Sequence, residues 1–242
     1  PLVFYVMPFT VICIETDSTP IGIRWFNYGF RVKDSQHILS DVPFRMTTGT
    51  FDDVTRKGFV TKLPANDLAK AAMRKLRSYG VDVNDIVTGG ERMGVYFVEK
   101  GASQRASKVL YDRKNSAIAD AEITDFDWDK IFADTQWFHF TGITPALSDK
   151  AAAICMEALK KAKGKGIIVS CDLNYRNKLW TSEKAGRVMG ELMPYVDVAI
   201  ANEEDCEKVF GIKASGTDLT GGKLSKDGYS EVARTLSVPS SR

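Results

Sequence analysis

The feature that most constrains the fold of this 242-residue chain is an alternation of apolar strands and amphipathic helices in its second half. Short apolar runs rich in β-branched or aromatic residues predict the strands, and apolar positions at helical spacing predict the helices. Strands that are separated by helices form a parallel sheet covered by helices on both faces. The predicted strands are 137–140, 167–171 and 196–200, and the predicted helices are about 148–163, 182–193, 203–210 and 228–236.

The part of the chain before this alternation predicts one more strand and helix, followed by a β-hairpin. A strand over 59–63 ends at Pro64, and Asn66 is a good N-cap for the helix that follows. Two apolar runs, 95–98 and 108–111, are joined by a loop that contains Gly and Ser, which predicts the hairpin. The apolar stripe of the helix is Leu68, Ala71, Ala72, Leu76 and Tyr79, and Gly80 follows its end.

Charge and cysteine content exclude several classes of function. The chain has 33 Lys and Arg against 31 Asp and Glu, so its net charge of +2 gives no electrostatic basis for binding nucleic acid or an anionic membrane. No apolar run approaches the roughly 20 residues that span a bilayer. The four cysteines form no C-x-x-C pair, which favours a reducing cytoplasm over a disulfide framework or a zinc site. His139 lies inside an apolar strand and is predicted to be a core histidine.

Polar residues follow two of the predicted strands, where an open parallel sheet binds its ligands. Arg176 can hold a carboxylate or a phosphate with two parallel hydrogen bonds. The acidic residues that open the last helix suit its dipole and can hold Mg²⁺ through water. Two ordinary explanations stay open, because Asp and Asn also make turns and acidic first turns are common in solvated helices. The two sets are Asp172-Leu173-Asn174-Tyr175-Arg176 and Asn202-Glu203-Glu204-Asp205.

Five segments together resemble one family of enzymes. They are 91–105, Tyr111-Asp112-Arg113, Asn115-Ser116-Ala117, the Asp172-x-Asn174-x-Arg176 turn and 201–205. These segments look like the 2-keto-3-deoxygluconate kinases, which belong to the ribokinase-like (PfkB) sugar kinases, and the resemblance runs from about residue 59 to 236. It implies an α/β fold, a ribokinase-like three-layer sandwich with a mostly parallel sheet. It also implies transfer of the γ-phosphoryl group from ATP, with Mg²⁺, to a hydroxyl of a sugar acid.

The resemblance assigns roles to side chains of this chain. It implies that Tyr96, Tyr111 and Arg113 contact the keto-deoxy sugar acid and that Arg176 binds its carboxylate. Packing across the hairpin is the alternative explanation for the two tyrosines. The resemblance also implies that Asn174 and Asn202 contact nucleotide or phosphate and that Glu203 and Asp205 hold Mg²⁺ through water. The family usually has Glu at the position of Asp205, so the reach of this carboxylate is shorter. Family members often pair through the hairpin strands, which makes a homo-oligomer an expectation.

Both ends of the chain depart from the family pattern. Residues 1–58 form a divergent segment in which 11–14 and 21–26 favour strands, and they lack the family's Gly-Gly sugar-binding turn. A partial kinase domain is expected over 59–242, incomplete at its C-terminal side. The family's Gly-Ala-Gly-Asp segment, whose amides form an anion hole and whose Asp is the general base, is absent from the sequence.

We therefore expect no catalytic base in this chain, no kinase turnover from it alone, and poor solubility where the sheet lacks its later strands. Two alternatives to the kinase of a keto-deoxy sugar acid stay open. One is another PfkB kinase that acts on fructose or ribose. The other is a non-catalytic protein that binds a sugar acid.

Overall fold

A parallel sheet of six strands organises the part of the chain that the computed structural model describes, which comprises residues 2–6, 13–14, 23–24, 56–99, 104, 106 and 108–212. The strands are β1 (Leu2–Val6), β2 (Cys13–Ile14), β3 (Ile23–Arg24), β4 (Arg56–Phe59), β5 (Thr61–Leu63), β6 (Val81–Asp82), β7 (Ile86–Thr88), β8 (Val95–Glu99), β9 (Lys108–Asp112), β10 (Thr135–Thr141), β11 (Ile168–Asp172) and β12 (Val198–Ile200). The helices are α1 (Asp67–Ser78), α2 (Trp128–Ile131), α3 (Ile143–Ala146), α4 (Asp149–Gly164), α5 (Ser182–Leu192) and α6 (Glu203–Phe210). Short 3₁₀ helices cover Ile123–Asp125 and Met193–Tyr195.

The predicted alternation of strands and helices is confirmed by the sheet. Its strand order is β12-β11-β10-β1-β4-β6, and every neighbouring pair is parallel. The helices α4 and α5 begin where Ser148 and Thr181 accept hydrogen bonds from backbone N–H groups of the first turn. The strand predicted over 196–200 is shorter in the structure, because the backbone N–H of Val196 closes a turn onto the carbonyl of Met193. The helix predicted over 228–236 lies outside the described residues.

The register of the sheet brings three strand ends to one edge. Thr141 of β10 lies opposite Asp172 of β11, and Asp172 lies opposite Ile200 of β12. Gly142 follows β10 and donates a hydrogen bond of 2.8 Å to the carbonyl of Asp172. A Cβ on Gly142 would lie 2.2 Å from the carbonyl oxygen of Leu173, so only glycine fits at this close approach. The polar residues that follow β11 and β12 therefore lie side by side.

The main apolar core joins strand β10 to helix α4. Phe138 and Phe140 of β10 are buried against α4, which contributes Leu159. An aromatic cluster extends this core, since Phe132 lies edge-on to Phe138 with ring centroids 5.1 Å apart. On the strand between them, His139 is buried, and its Nδ1 lies 2.8 Å from the Ser170 hydroxyl. Desolvation lowers the pKa of His139 to about 4, so the ring is neutral, and the prediction of a core histidine is confirmed.

Helix α1 begins as predicted but buries a different face. Asn66 Oδ1 accepts a hydrogen bond of 2.9 Å from the backbone N–H of Ala69, and Gly80 beyond the helix has φ of +71°. The predicted stripe is wrong at both ends, because Leu68 and Tyr79 are 46% and 54% exposed. The buried positions are instead Ala69, Ala72, and in part Met73 and Leu76. Contact with a small cluster around Phe59, Leu63 and Ile86 selects this face, and small alanines allow that close approach.

A second sheet contains the predicted hairpin. Strands β8 and β9 pair antiparallel, and β2 and β3 extend this sheet in the order β3-β2-β8-β9. Strands β2 and β3 lie inside the runs 11–14 and 21–26 that favour strands. The sequence did not indicate β1, which lies in the middle of the larger sheet between β10 and β4.

The expected homo-oligomer and the expected poor solubility stay predictions. Among the described residues, none forms a helix with the length and apolar character needed to cross a membrane.

Candidate functional site

Two tyrosines of the hairpin form one wall of the candidate site. Tyr96 of β8 and Tyr111 of β9 lie directly opposite each other in the register, and their ring centroids are 5.9 Å apart. Side chains alternate along a strand, so both rings lie on one face of the hairpin and the exposed Phe97 and Leu110 lie on the other. Tyr111 is itself 43% exposed, which leaves its ring available to a ligand.

An arginine lies directly against this tyrosine wall. Arg113 follows β9 immediately, and its Cζ lies 3.8 Å from the centre of the Tyr111 ring. Desolvation lowers the pKa of the Arg113 guanidinium, and the nearby charge of Arg176 lowers it further, while Tyr111 and Tyr96 act in the opposite direction. Arginine stays protonated under such shifts. The structure therefore brings together all four residues that the resemblance assigns to the sugar acid.

The turn after β11 supplies the opposite side of the site. Asn174 has φ of +40°, in the left-handed region that asparagine tolerates, and it turns the chain at the end of the strand. Arg176 follows in this turn, is exposed, and donates a hydrogen bond of 3.1 Å to the carbonyl of Tyr175. Lys178, two residues further on, places its Nζ 5.7 Å from the centre of the Tyr111 ring. The turn therefore lies beside the tyrosine face of the hairpin, and the surface that these residues share is called the cleft below.

The N-terminus of α6 is joined to the same turn by a buried carboxylate. Asp205 is 6% exposed and its Oδ1 accepts a hydrogen bond of 2.9 Å from the backbone N–H of Tyr175. The N–H of Asp205 donates to Asn202 Oδ1 at 2.7 Å, and Asn202 N–H lies 3.5 Å from Asp205 Oδ2, which forms a capping box. Asp205 thus has a structural contact that the sequence did not predict, and its expected role at Mg²⁺ stays a prediction.

A second carboxylate lies beside Asp205. Asp172 ends β11, and desolvation followed by the charge of Asp205 raises its pKa, whereas Arg176 and the backbone N–H of Asn174 lower it. The side chain of Glu203 lies outside the described residues. Where the structure describes side chains, no three His, Cys, Asp or Glu residues are grouped to hold a metal ion directly. Two mutually repelling carboxylates still suit a divalent cation that keeps most of its water.

Sequence analysis missed one residue of the cleft. Lys178 is separated by one residue from Arg176, and its position in the same polar turn is the only signal that the sequence contained. The fold and these side chains define an α/β protein with cationic and aromatic residues beyond the ends of parallel strands, where such folds bind their ligands. Residues 54–236 match the pfkB family carbohydrate kinases, and the chain belongs to this family.

Three proteins illustrate what this chain is similar to. The 2-dehydro-3-deoxygalactonokinase of Haloferax volcanii is 34% identical over 161 residues, which are 66% of this chain and 50% of that protein. The crystal structure of 2-dehydro-3-deoxygluconokinase from Thermotoga maritima is 52% identical with a TM-score of 0.69, over 75% of this chain and 53% of that one. An uncharacterised sugar kinase from Pyrococcus horikoshii in complex with ATP is 23% identical with a TM-score of 0.56, over 64% and 51%.

These similarities confirm the ribokinase-like fold predicted from the resemblance. The chain spans about half the length of the relatives that it matches in this way. The similarity supports the ribokinase-like fold for the part of this chain that the alignments cover.

Proposed function

We propose that this chain contributes the sugar-acid-binding part of an ATP-dependent kinase of 2-keto-3-deoxygluconate, the compound also called 2-dehydro-3-deoxygluconate. The observation that carries this proposal is the grouping of Arg113 and Arg176 beside the Tyr96–Tyr111 pair. Two guanidinium groups at one cleft favour an anionic ligand, and a planar guanidinium matches a carboxylate with two hydrogen bonds. A neutral sugar such as fructose or ribose would leave this positive charge without a partner.

Each side chain then has a distinct task in binding. Arg176 holds the carboxylate of the sugar acid, and Arg113 adds a second cation whose orientation is set by its contact with the Tyr111 ring. The tyrosine rings cover the apolar face of the sugar chain and offer hydroxyl groups to its oxygens. This arrangement fixes the acid end of the substrate and leaves a distant hydroxyl free for the reaction.

The reaction would transfer the γ-phosphoryl group of ATP to that hydroxyl. A bond forms between the hydroxyl oxygen and the γ-phosphorus, the bond from this phosphorus to the bridging oxygen breaks, ADP leaves, and the hydroxyl proton passes to water. Asn174 and Asn202, which follow β11 and β12, would contact the phosphates. Mg²⁺, held through water by Glu203 and Asp205, would neutralise charge on the phosphate oxygens. The resemblance assigns no residue of this chain to the proton-accepting role, so binding is the measurement that tests the proposal.

Calorimetric titration with three ligands tests this function. We expect the chain to bind 2-keto-3-deoxygluconate in preference to fructose, and to bind MgATP separately. Arg176→Ala should weaken binding of the sugar acid by about tenfold to a hundredfold, because a hydrogen-bonded charged group contributes about 1.5–3 kcal/mol. Arg74→Ala, which removes an exposed arginine of α1, is the matched control and should leave all three affinities unchanged.

Three outcomes of this titration would count against the proposal. Equal affinity for fructose and the sugar acid would favour the alternative PfkB kinases. Binding of the sugar acid without binding of ATP would favour a non-catalytic binding protein. If Arg176→Ala leaves the sugar-acid affinity unchanged while circular dichroism shows the native fold, Arg176 does not bind the carboxylate.

A further inference from the structure

A third cation lies at the cleft in addition to the two arginines. Lys178 Nζ lies 5.7 Å from the centre of the Tyr111 ring, at the outer limit of the distance of about 6 Å at which cations interact with aromatic faces. The same ring carries Arg113 at 3.8 Å. Lys178 is exposed and belongs to the turn that holds Arg176, so its ammonium group can move on a flexible stem towards a ligand in the cleft.

Lys178 differs in its charge pairing from several lysines of the helices. Some of those lysines are paired with carboxylates, as in Lys161–Asp129 at 2.6 Å and Lys184–Asp149 at 2.7 Å. By contrast, in the portion of the chain that the structure describes, no carboxylate lies at ion-pair distance from Lys178.

The carboxylates nearest to the cleft are engaged in other contacts. Asp112 precedes Arg113 but pairs with Arg92 at 2.6 Å. Asp172 interacts electrostatically with Arg176 and with its neighbour Asp205. Asp205 accepts its hydrogen bond from the backbone of the Arg176 turn. The cleft therefore combines three cations, Arg113, Arg176 and Lys178, with one carboxylate, Asp172, that interacts with Arg176.

We propose that Lys178 is a further specificity-determining residue, which favours an anionic sugar acid over a neutral sugar by attracting its carboxylate. This inference rests on the proposed function. Arg176 would make the directional contact, and Lys178 would add a charge that acts over a longer distance through water. Such an attraction raises both affinity and association rate, and salt screens it. A lysine that only packs its stem against Tyr111 would affect acid and neutral ligands equally.

Titrations of Lys178 variants with 2-keto-3-deoxygluconate and with fructose test this proposal. Lys178→Met keeps the length of the stem and removes the charge, and Lys178→Arg keeps the charge. Lys160→Met removes an exposed lysine of α4 and is the matched control. We expect Lys178→Met to weaken binding of the acid by about twofold to fivefold at an ionic strength of about 0.01 M, as for exposed charge pairs. The effect should shrink at about 0.3 M salt.

The comparison of ligands and variants decides between charge and packing. Lys178→Arg should restore affinity for the acid, and fructose binding should be the same in all variants. Equal affinities of Lys178→Met and Lys160→Met for the acid would overturn the proposal, as would a loss that is the same for acid and fructose. If Arg176→Ala weakens acid binding while Lys178→Met does not, only this inference fails. If neither variant weakens it, the proposed function fails as well.

Discussion

Replacing Asp205 should destabilise the protein and weaken the sugar-acid site together. Its carboxylate connects two strand-end turns, because Oδ1 accepts from Tyr175 N–H at 2.9 Å while Asn202 and Asp205 cap α6 reciprocally. A hydrogen bond to a charged group contributes about 1.5–3 kcal/mol, and loss of a capping interaction costs about 1 kcal/mol. We therefore expect Asp205→Ala to lower the free energy of unfolding by about 2–4 kcal/mol, a large part of the roughly 5–15 kcal/mol typical of a domain.

Urea denaturation followed by circular dichroism measures this loss directly. Glu204→Ala is the matched control, since it removes an exposed carboxylate from the same first turn of α6 without a hydrogen bond to Tyr175. Asp205→Asn should have an intermediate effect, because it keeps an acceptor oxygen and loses the charge. Tyr175 precedes Arg176, so the sugar-acid affinity of Asp205→Ala should also fall although Asp205 is not expected to touch the sugar acid.

The alternative role of Asp205 leads to a different result. If its main role were to hold hydrated Mg²⁺, Asp205→Ala would weaken MgATP binding and leave the denaturation midpoint unchanged. A midpoint equal to that of Glu204→Ala would refute the reasoning from the hydrogen bonds.

Two further predictions concern the core and the strand ends. Gly142→Ala should cost about 1–3 kcal/mol of unfolding free energy, because its Cβ would lie 2.2 Å from the carbonyl oxygen of Leu173. Gly164→Ala, with no atom near its Cβ, should leave the melting temperature unchanged or raise it. The depressed pKa of His139 stabilises the fold above pH 6.5, and about 3 kcal/mol of stability should be lost as the pH falls from 6.5 to about 4. His139→Asn should remove this part of the loss in urea titrations at each pH, and an unchanged pH dependence would contradict the assignment of a neutral buried ring.

Local signals in the sequence were sufficient for helices α1, α4, α5 and α6 and for the hairpin. Asn66 and Ser148 accept the N-terminal hydrogen bonds that their side chains predicted, and Gly211 ends α6 with φ of +70°. These interactions join residues that are close in the sequence, so a single segment contains the whole signal. The alternation of strands with helices likewise predicts a parallel sheet, because a crossover helix leaves the next strand running in the same direction.

The identity of the sugar-acid residues also came from the sequence, by resemblance, but their juxtaposition did not. Tyr111 belongs to β9 of the second sheet, Arg176 belongs to the turn after β11 of the larger sheet, and they lie 65 positions apart in the numbering. Their approach depends on how the hairpin lies over the ends of the parallel strands. The same packing brings Lys178 to the Tyr111 ring, a proximity that no local pattern indicates.

Tertiary structure alone decided the place of β1, the buried face of α1 and the contact of Asp205 with Tyr175. Strand β1 pairs with β10, which is more than a hundred residues away in the sequence, so its position depends on partners rather than on its own apolar residues. Helix α1 has apolar residues on more than one face, and contact with Phe59 and Leu63 selected the face that contains Ala69 and Ala72. Asp205 satisfies both a cap and a distant backbone N–H, because the neighbouring strand ends bring that N–H within 2.9 Å. Long-range pairing chooses among alternatives that local sequence leaves equivalent, and in this chain it assembles the cleft.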